Sequence, residues 1–267
     1  MRTFVVSDIH GHYDTFMKLL KLIDFQPEDI MYINGDVIDR GKEGIKLIKY
    51  IMKQENMEMF LGNHEMMMLK AIEYQRDLKE GKIDPGQDEE HLTPYELWTH
   101  PANGGEDTFA DFYRLSQEEQ DEIESFLNGL RLIKRIDVNG VKYHISHSYS
   151  LNRKFGKELF LKDADPLEAE TIVWESLFDR MGNPYDKKEK CPFQYKKDRY
   201  IVGHIFTQRL NHLDDLGRGM IFISEKYRGC YVIDMDCGMA INSRSSRLGC
   251  LQLETMKEFY VALMDYE

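Results

Sequence analysis

No run of this 267-residue chain is apolar for long enough to span a bilayer, and cysteine is scarce, at four residues. The first absence excludes a transmembrane helix. The opening apolar run begins at Phe4 and meets Asp8, so no signal peptide is expected. Cys191, Cys230, Cys237 and Cys250 show no paired metal-type spacing, and such sparse use fits a reducing compartment. A soluble, cytoplasmic protein is therefore expected. Positive charge is also in deficit: 35 Lys and Arg against 47 Asp and Glu leave a net charge of −12. That balance argues against general binding to a nucleic acid backbone or an anionic membrane. A phosphate ester as substrate would need metal ions and a few placed arginines to supply local positive charge.

What is present is an apolar share of 42%, enough for a sizeable core. Thr3–Phe4–Val5–Val6 reads as a strand ending in Ser7–Asp8–Ile9–His10–Gly11. Phe16, Leu19, Leu20 and Ile23 then mark one buried helix face. Ile30–Ile33 is a second strand, ending in Gly35–Asp36–Val37–Ile38–Asp39–Arg40–Gly41. A second amphipathic helix carries Ile45, Ile48, Ile51 and Met52, and a third strand, Met57–Leu61, ends in Gly62–Asn63–His64–Glu65. This β-α-β-α-β order is that of a sheet covered by helices. All three polar clusters fall at the carboxyl ends of strands, where open α/β sheets place their ligands.

From Met66 to about Leu130 the chain turns charged and helical, with Ser116 and Glu119 spaced as a capping box and Asn103–Gly104–Gly105 as a tight turn. Leu130–Asp137 and Val141–His147, joined by Asn139–Gly140, predict a hairpin with a type I′ turn. Residues 151–198 read as irregular and polar, with Lys187–Lys190 a solvated loop. Tyr200–Val202, Cys230–Asp236, Gly249–Glu254 and Phe259–Met264 are the remaining expected strands. Residues 1–267 are expected to form one domain, elaborated by helices at about 66–130.

The strand ends collect Asp8, His10, Asp36, Asn63, His147 and His204. Carboxylate, amide and imidazole donors suit borderline divalent metals such as manganese, iron or zinc, and six ligands are too many for one ion with open positions. Asp-x-His-Gly, Gly-Asp-x-x-Asp-Arg-Gly and Gly-Asn-His-Glu, in that order, resemble the calcineurin-like metallophosphoesterases. The likeness is greatest to the serine/threonine phosphoprotein phosphatase branch of compact bacterial and phage type. Ile145–Ser148, Gly203–His204 and Asp236–Cys237–Gly238 extend it over most of the chain, with only weak matching at 72–130 and 151–198. The resemblance implies an α/β fold, a β-sandwich of two mixed sheets flanked by helices with a dinuclear site at strand ends. It also implies the ligand sets: Asp8 and His10 for one ion, Asn63, His147 and His204 for the other, Asp36 bridging, with Mn2+ the expected metal. His64 matches the general acid, oriented by Asp39, and Arg40 a phosphate-binding arginine. A second such arginine is expected after a tryptophan, a place that Trp174 followed by Phe178–Asp179–Arg180 fits; Arg153 competes with Arg180.

Two such ions would activate water as a bridging hydroxide for direct attack on phosphorus, with no nucleophilic side chain. Ser7 stands where the family usually has glycine, and Ser148 where glycine or alanine follows the histidine. Phe206 stands where nucleases and diesterases of the wider group carry a further histidine in Gly-His-x-His, which favours the phosphoprotein phosphatase branch. The substrate is expected to be a phosphoserine or phosphothreonine monoester, on a protein or a small phosphoester. The runner-up is a hydrolase of dinucleoside polyphosphates of the diadenosine tetraphosphate type, and the non-enzyme alternative a phosphate-binding pseudophosphatase. His12, His91, His100, His144 and His212 are taken as structural or solvent-facing, with His12 the nearest to the site in sequence. Met66, Met67 and Met68 read as packing, and Asp234 and Asp236 as turn residues or closers of the site.

Overall fold

The computed structural model of the chain describes residues 1–84, 92–148, 158–176, 197–210, 219–227 and 230–264. Strand β1 (Thr3–Val6), helix α1 (Tyr13–Leu22), β2 (Ile30–Ile33), α2 (Gly44–Ile51) and β3 (Met57–Met59) follow the expected order. Helices α3 (Asn63–Lys79), α4 (Pro94–Thr99), α5 (Glu106–Tyr113) and α6 (Gln117–Asn128) come next. Then run β4 (Arg131–Val138), β5 (Val141–Ser146), β6 (Glu158–Phe160), α7 (Pro166–Trp174), β7 (Arg199–Val202) and α8 (Thr207–Leu210). The chain closes with β8 (Phe222–Tyr227), β9 (Cys230–Asp234), β10 (Arg247–Gln252) and β11 (Lys257–Ala262).

The strands form two mixed sheets, in the orders β11-β10-β1-β2-β3 and β6-β4-β5-β7-β9-β8. Side chains of period two divide three cores between them. Val5, Tyr32, Phe60, Tyr143, Ile145, Ile201 and Ile233 meet in the layer between the sheets. Their neighbours Phe4, Val6, Met31 and Ile33 face the other way and pack with Phe16, Leu19, Ile48 and Met66–Met68 of the helices. Tyr200, Val202 and Val232 line the outer face of the second sheet. Burial on both faces explains why these strands read as continuous apolar runs.

In each sheet the three central strands of the site are parallel: β1 with β2 with β3, and β5 with β7 with β9. Parallel strands release their carboxyl ends on the same edge, so all six polar clusters arrive at one end of the sandwich. The Asn139–Gly140 turn has positive φ at both central residues, as type I′ requires. The Ser116 hydroxyl accepts from the Glu119 amide, and Glu119 returns a carboxylate to the Ser116 amide.

Several expectations differ. Helix α3 begins at Asn63, three residues ahead of the start expected at Met66, so the third polar cluster forms its first turn. β9 stops at Asp234, β8 was not foreseen, and β6 and α7 lie inside the segment read as irregular. The α7 signal was present: Asp165 accepts from the Leu167 amide ahead of Pro166 at the first helical position. No helix among the described residues is long and apolar enough to cross a membrane. Cys237 and Cys250 are free and buried.

Candidate metal centre

The loops that leave the strands are wound tightly enough to turn many side chains inward. Asp8, His10, Asp36, Asp39, Arg40 and His204 all have φ between 49° and 72°, the left-handed region that side chains rarely adopt. Backbone strain concentrated this way marks a constellation held in place by its surroundings. Gly35 shows how close the approach is: a Cβ there would lie 2.6 Å from His147 Nδ1 and 2.8 Å from the Gly62 Cα.

Asp36 sits in the middle. Its Oδ2 is 3.4 Å from His147 Nε2, 3.8 Å from His10 Nε2 and 3.9 Å from His64 Nε2. Asn63 Oδ1 lies 3.0 Å from His147 Nε2 and 2.9 Å from His204 Nδ1. Two donors at right angles on one ion, each bonded at about 2.1 Å, stand about 3.0 Å apart. The Asn63–His147–His204 corner therefore has the spacing of a shared ion. Two groups of donor atoms, each within 4.8 Å, emerge: His10, Asp36 and His64, and Asp36, His147 and His204. Asp36 belongs to both.

Ring orientation fits metal ligation. His10 Nδ1 faces the Ile38 carbonyl at 3.1 Å and His147 Nδ1 the Asn34 carbonyl at 2.8 Å. Each donates its Nδ1–H outward and leaves Nε2 toward the centre. Asp8 lies outside both groups; its carboxylate accepts the His204 amide at 3.2 and 3.3 Å and touches the Ser7 hydroxyl. Burial pushes the Asp8 carboxyl well above its usual range and Asp236 adds to it. Burial likewise raises Asp236, to about 7, and Asp234 well above the carboxylate range. Buried oxygens Asp234 Oδ2 and Asp236 Oδ2 have no protein partner. A centre that crowds buried carboxyls with inward-facing imidazoles is a donor set that divalent cations would satisfy.

His64 is built differently. Its Nδ1 pairs with Asp39 Oδ2 at 2.7 Å, and both residues are buried. Burial opposes a charged ring, but Asp36 and the hydrogen-bonded Asp39 outweigh it and raise the His64 pKa. A protonated Nε2 facing the centre can give a proton and cannot bind a metal. The second partner of Asp39 comes from a part of the chain that showed no such signal: the Trp98 indole of α4 donates to the same Asp39 oxygen at 2.9 Å. Thr108 of α5 accepts the Asp39 amide at 3.2 Å, and the Gly104 carbonyl accepts the Arg40 amide at 3.1 Å. Residues 98–108 of the helical elaboration thus clamp Asp39 and Arg40. Arg40 Nε is buried without a protein partner, a donor free to meet an anion.

Glu65 is the other residue to which no role was given. Its carboxylate accepts the amides of Asp36 (3.0 Å), Val37 (2.8 Å), Ile38 (3.3 Å) and Gly62 (3.0 Å), tying two ligand loops together. Burial and the neighbouring Asp36 push it up to about 7. Its place in Gly-Asn-His-Glu was the available signal. Ser7 touches Asp8 and contacts the Asn34 carbonyl at 3.0 Å, so the departure from glycine is spent on the site.

His12 and His144 join neither group; His144 pairs with Asp198 at 2.8 Å and stacks on Tyr200. Met66, Met67 and Met68 are buried in the core. Arg180 and Arg153, with Phe178, Asp179, His91, His212 and Lys187–Lys190, lie outside the described residues. Trp174 is described, and its ring stands edge-on to His204 at 6.1 Å.

The Trp98 contact can be tested directly. Trp98→Phe keeps a large ring but removes the N–H that Asp39 accepts. A hydrogen bond to a charged group is worth roughly 1.5–3 kcal/mol. Steady-state kinetics on an alkyl phosphomonoester are expected to show kcat reduced about 10-fold or more, with Tm lowered by a few degrees through the lost bond and the smaller ring.

The calcineurin-like phosphoesterase family profile matches residues 1–207. A symmetrical bis(5'-nucleosyl)-tetraphosphatase from Chromobacterium violaceum is 35% identical over 75 residues, 27% of this chain and 27% of that one. The corresponding enzyme of Wigglesworthia glossinidia brevipalpis is 38% identical over 82 residues, 30% of each. These alignments therefore span less than a third of the curated relatives. Among solved structures, one provisionally assigned as a diadenosine tetraphosphatase superposes with a TM-score of 0.56 at 15% identity, covering 99% of this chain and 95% of that one. A serine/threonine protein phosphatase from Saccharomyces cerevisiae also gives 0.56, at 12% identity, covering 100% and 81%. The two superpositions show a common fold.

Proposed function

The chain belongs to the calcineurin-like phosphoesterase family, and from that premise we propose that it is a dinuclear hydrolase of dinucleoside polyphosphates. The observation that carries the dinuclear reading is Asp36, whose Oδ2 lies 3.8 Å from His10 Nε2 on one side and 3.4 Å from His147 Nε2 on the other, with His64 set apart as the acid. The substrate reading is supported by relatives matched in sequence that are named symmetrical tetraphosphatases, and it displaces the phosphoserine or phosphothreonine ester expected first. Intact His64, Asp39 and donor set speak against a pseudophosphatase.

The proposed division of labour is as follows. Asp8 and His10 would hold one divalent ion, Asn63, His147 and His204 the other, and Asp36 would serve both. Oxygen and nitrogen donors without thiolate suit manganese, with iron or zinc as further candidates. When bound, such a pair supplies Lewis acidity and a nucleophile at neutral pH. The chain does the rest. Arg40, with its free buried Nε, neutralises charge on the phosphoryl oxygens, and Arg180 remains the proposed second arginine. His64 carries a proton at Nε2, held in direction by Asp39 through Nδ1, and delivers it to the departing oxygen. Asp39 is itself fixed by Trp98 and Thr108, so the imidazole cannot swing. Hydrolysis of a polyphosphate chain leaves a nucleotide on each side of the broken P–O bond.

A turnover panel tests the substrate. With saturating manganese, diadenosine tetraphosphate is expected to exceed a phosphoserine peptide and a 2',3'-cyclic nucleotide by orders of magnitude in kcat/KM. A preference for the phosphopeptide would return the reading to a protein phosphatase.

A further inference from the structure

The chain has two tryptophans, and the fold gives them opposite surroundings. Trp98 is fully buried and serves Asp39. Trp174, the last residue of α7, is 39% exposed, with its ring plane at 87° to that of His204. Phe206 follows His204 two residues on, where a further ligand histidine could have been. It is half-buried, and the exposed Arg209 lays its guanidinium 4.9 Å from the Phe206 ring centre. Arg209 lies on α8, five residues after His204 in the chain. None of these three side chains has a task in the hydrolytic step. A flat apolar face against an ion-binding histidine, and a stacked cation on the segment that follows that histidine, match the two chemical ends of a nucleotide, its base and its phosphates.

We propose that Trp174 and the Arg209–Phe206 pair form a nucleotide subsite on the His204 side of the metal centre. Trp174 stacks on the base of one nucleotide, and Arg209 takes a phosphate of the chain beyond the one attacked. The assignment rests on the dinucleoside polyphosphate reading and deepens it. It also gives Phe206 a purpose: a ligand histidine there would have bound metal, whereas a phenyl ring supports the guanidinium. The recognition is of any nucleotide end, because stacking uses the π-face common to all bases.

Tryptophan fluorescence reads the contact without turnover. In the manganese-loaded protein, the adenosine α,β-methylene diphosphate analogue is expected to quench emission, while pyrophosphate, which has no base, is not. Trp174→Phe removes the quenchable signal and leaves the emission of Trp98. In kinetics, Trp174→Ala is expected to raise KM for diadenosine tetraphosphate about 10- to 100-fold, the range of base–aromatic stacking. Its loss there should exceed its loss on glycerol 2-phosphate, which carries no ring, by about 10-fold or more. Trp174→Phe should restore much of it, and Arg209→Ala should raise KM for the tetraphosphate. Equal quenching by pyrophosphate, or equal losses of Trp174→Ala on the two substrates, overturns the subsite. A KM effect confined to phosphopeptides does so too, by making a peptide the occupant. Failure of the functional reading looks different: wild-type protein would then prefer another substrate to the tetraphosphate before any variant is made.

Discussion

Asp36→Asn is expected to lose metal and activity together, with both ions weakened and kcat/KM down by about 10³-fold, or ~4 kcal/mol of transition-state stabilisation. Asparagine keeps the shape and can still accept the His64 amide, which Asp36 Oδ1 meets at 3.1 Å. What it removes is the charge at Oδ2, which faces His147, His10 and His64 within 3.9 Å. Among the described residues, no other belongs to both donor groups. Asn63→Ala provides the contrast, because its Oδ1 contacts only the His147 and His204 side. It should keep one ion and lose less activity. Elemental analysis of the purified variants beside kcat/KM measures the difference, and an Asp36→Asn protein that retains two tightly held ions would refute the bridging role.

Much of this was legible before the coordinates because strands buried on both faces leave so little room for ambiguity. Phe4–Val6, Met31–Ile33 and Tyr200–Val202 contain no polar residue, so a polar cluster immediately after each had to lie at a strand end. The harder parts were those without a periodic signature. Asn63 opens α3 only four residues beyond the last paired residue of β3, and no breaker stands there except Gly62. β8 pairs only at the edge of its sheet, with β9. The Trp98–Asp39 contact joins residues 59 apart in a region whose sequence shows helices but not where they dock. Glu65 was visible within its motif, yet its role depends on four amides brought together by folding. Spacing reveals which side chains share an edge; it does not reveal which loop will hold them still.

His64→Asn should divide substrates by the basicity of the group that leaves. A seryl alkoxide cannot depart unaided, so removing the acid is expected to slow a phosphoserine peptide by about 10²–10⁴-fold. An aryl phosphate, whose leaving group is a weak base, should be slowed far less. A dinucleoside polyphosphate releases a nucleotide phosphate, also weakly basic, and should follow the aryl ester. Asp39→Asn should repeat the pattern more weakly, since it loosens the ring at Nδ1 without removing the donor. The pH profile adds a sign. Asp36 and Asp39, working against burial, raise His64 above its ordinary value of 6.5, so the acid is present at low pH and lost as pH rises through the raised value. Wild-type kcat/KM on the phosphoserine peptide should therefore fall on the alkaline side, and His64→Asn should lack that limb. Equal losses on all three substrates would assign His64 to positioning instead.

The most direct measurement is anomalous diffraction from crystals grown with manganese. Two anomalous peaks are expected roughly 3.5–4 Å apart, the separation of two-metal hydrolytic sites. The Asp36 carboxylate should touch both, with His10 at one peak and Asn63, His147 and His204 at the other. A single peak, or two peaks that do not share Asp36, would contradict the dinuclear account.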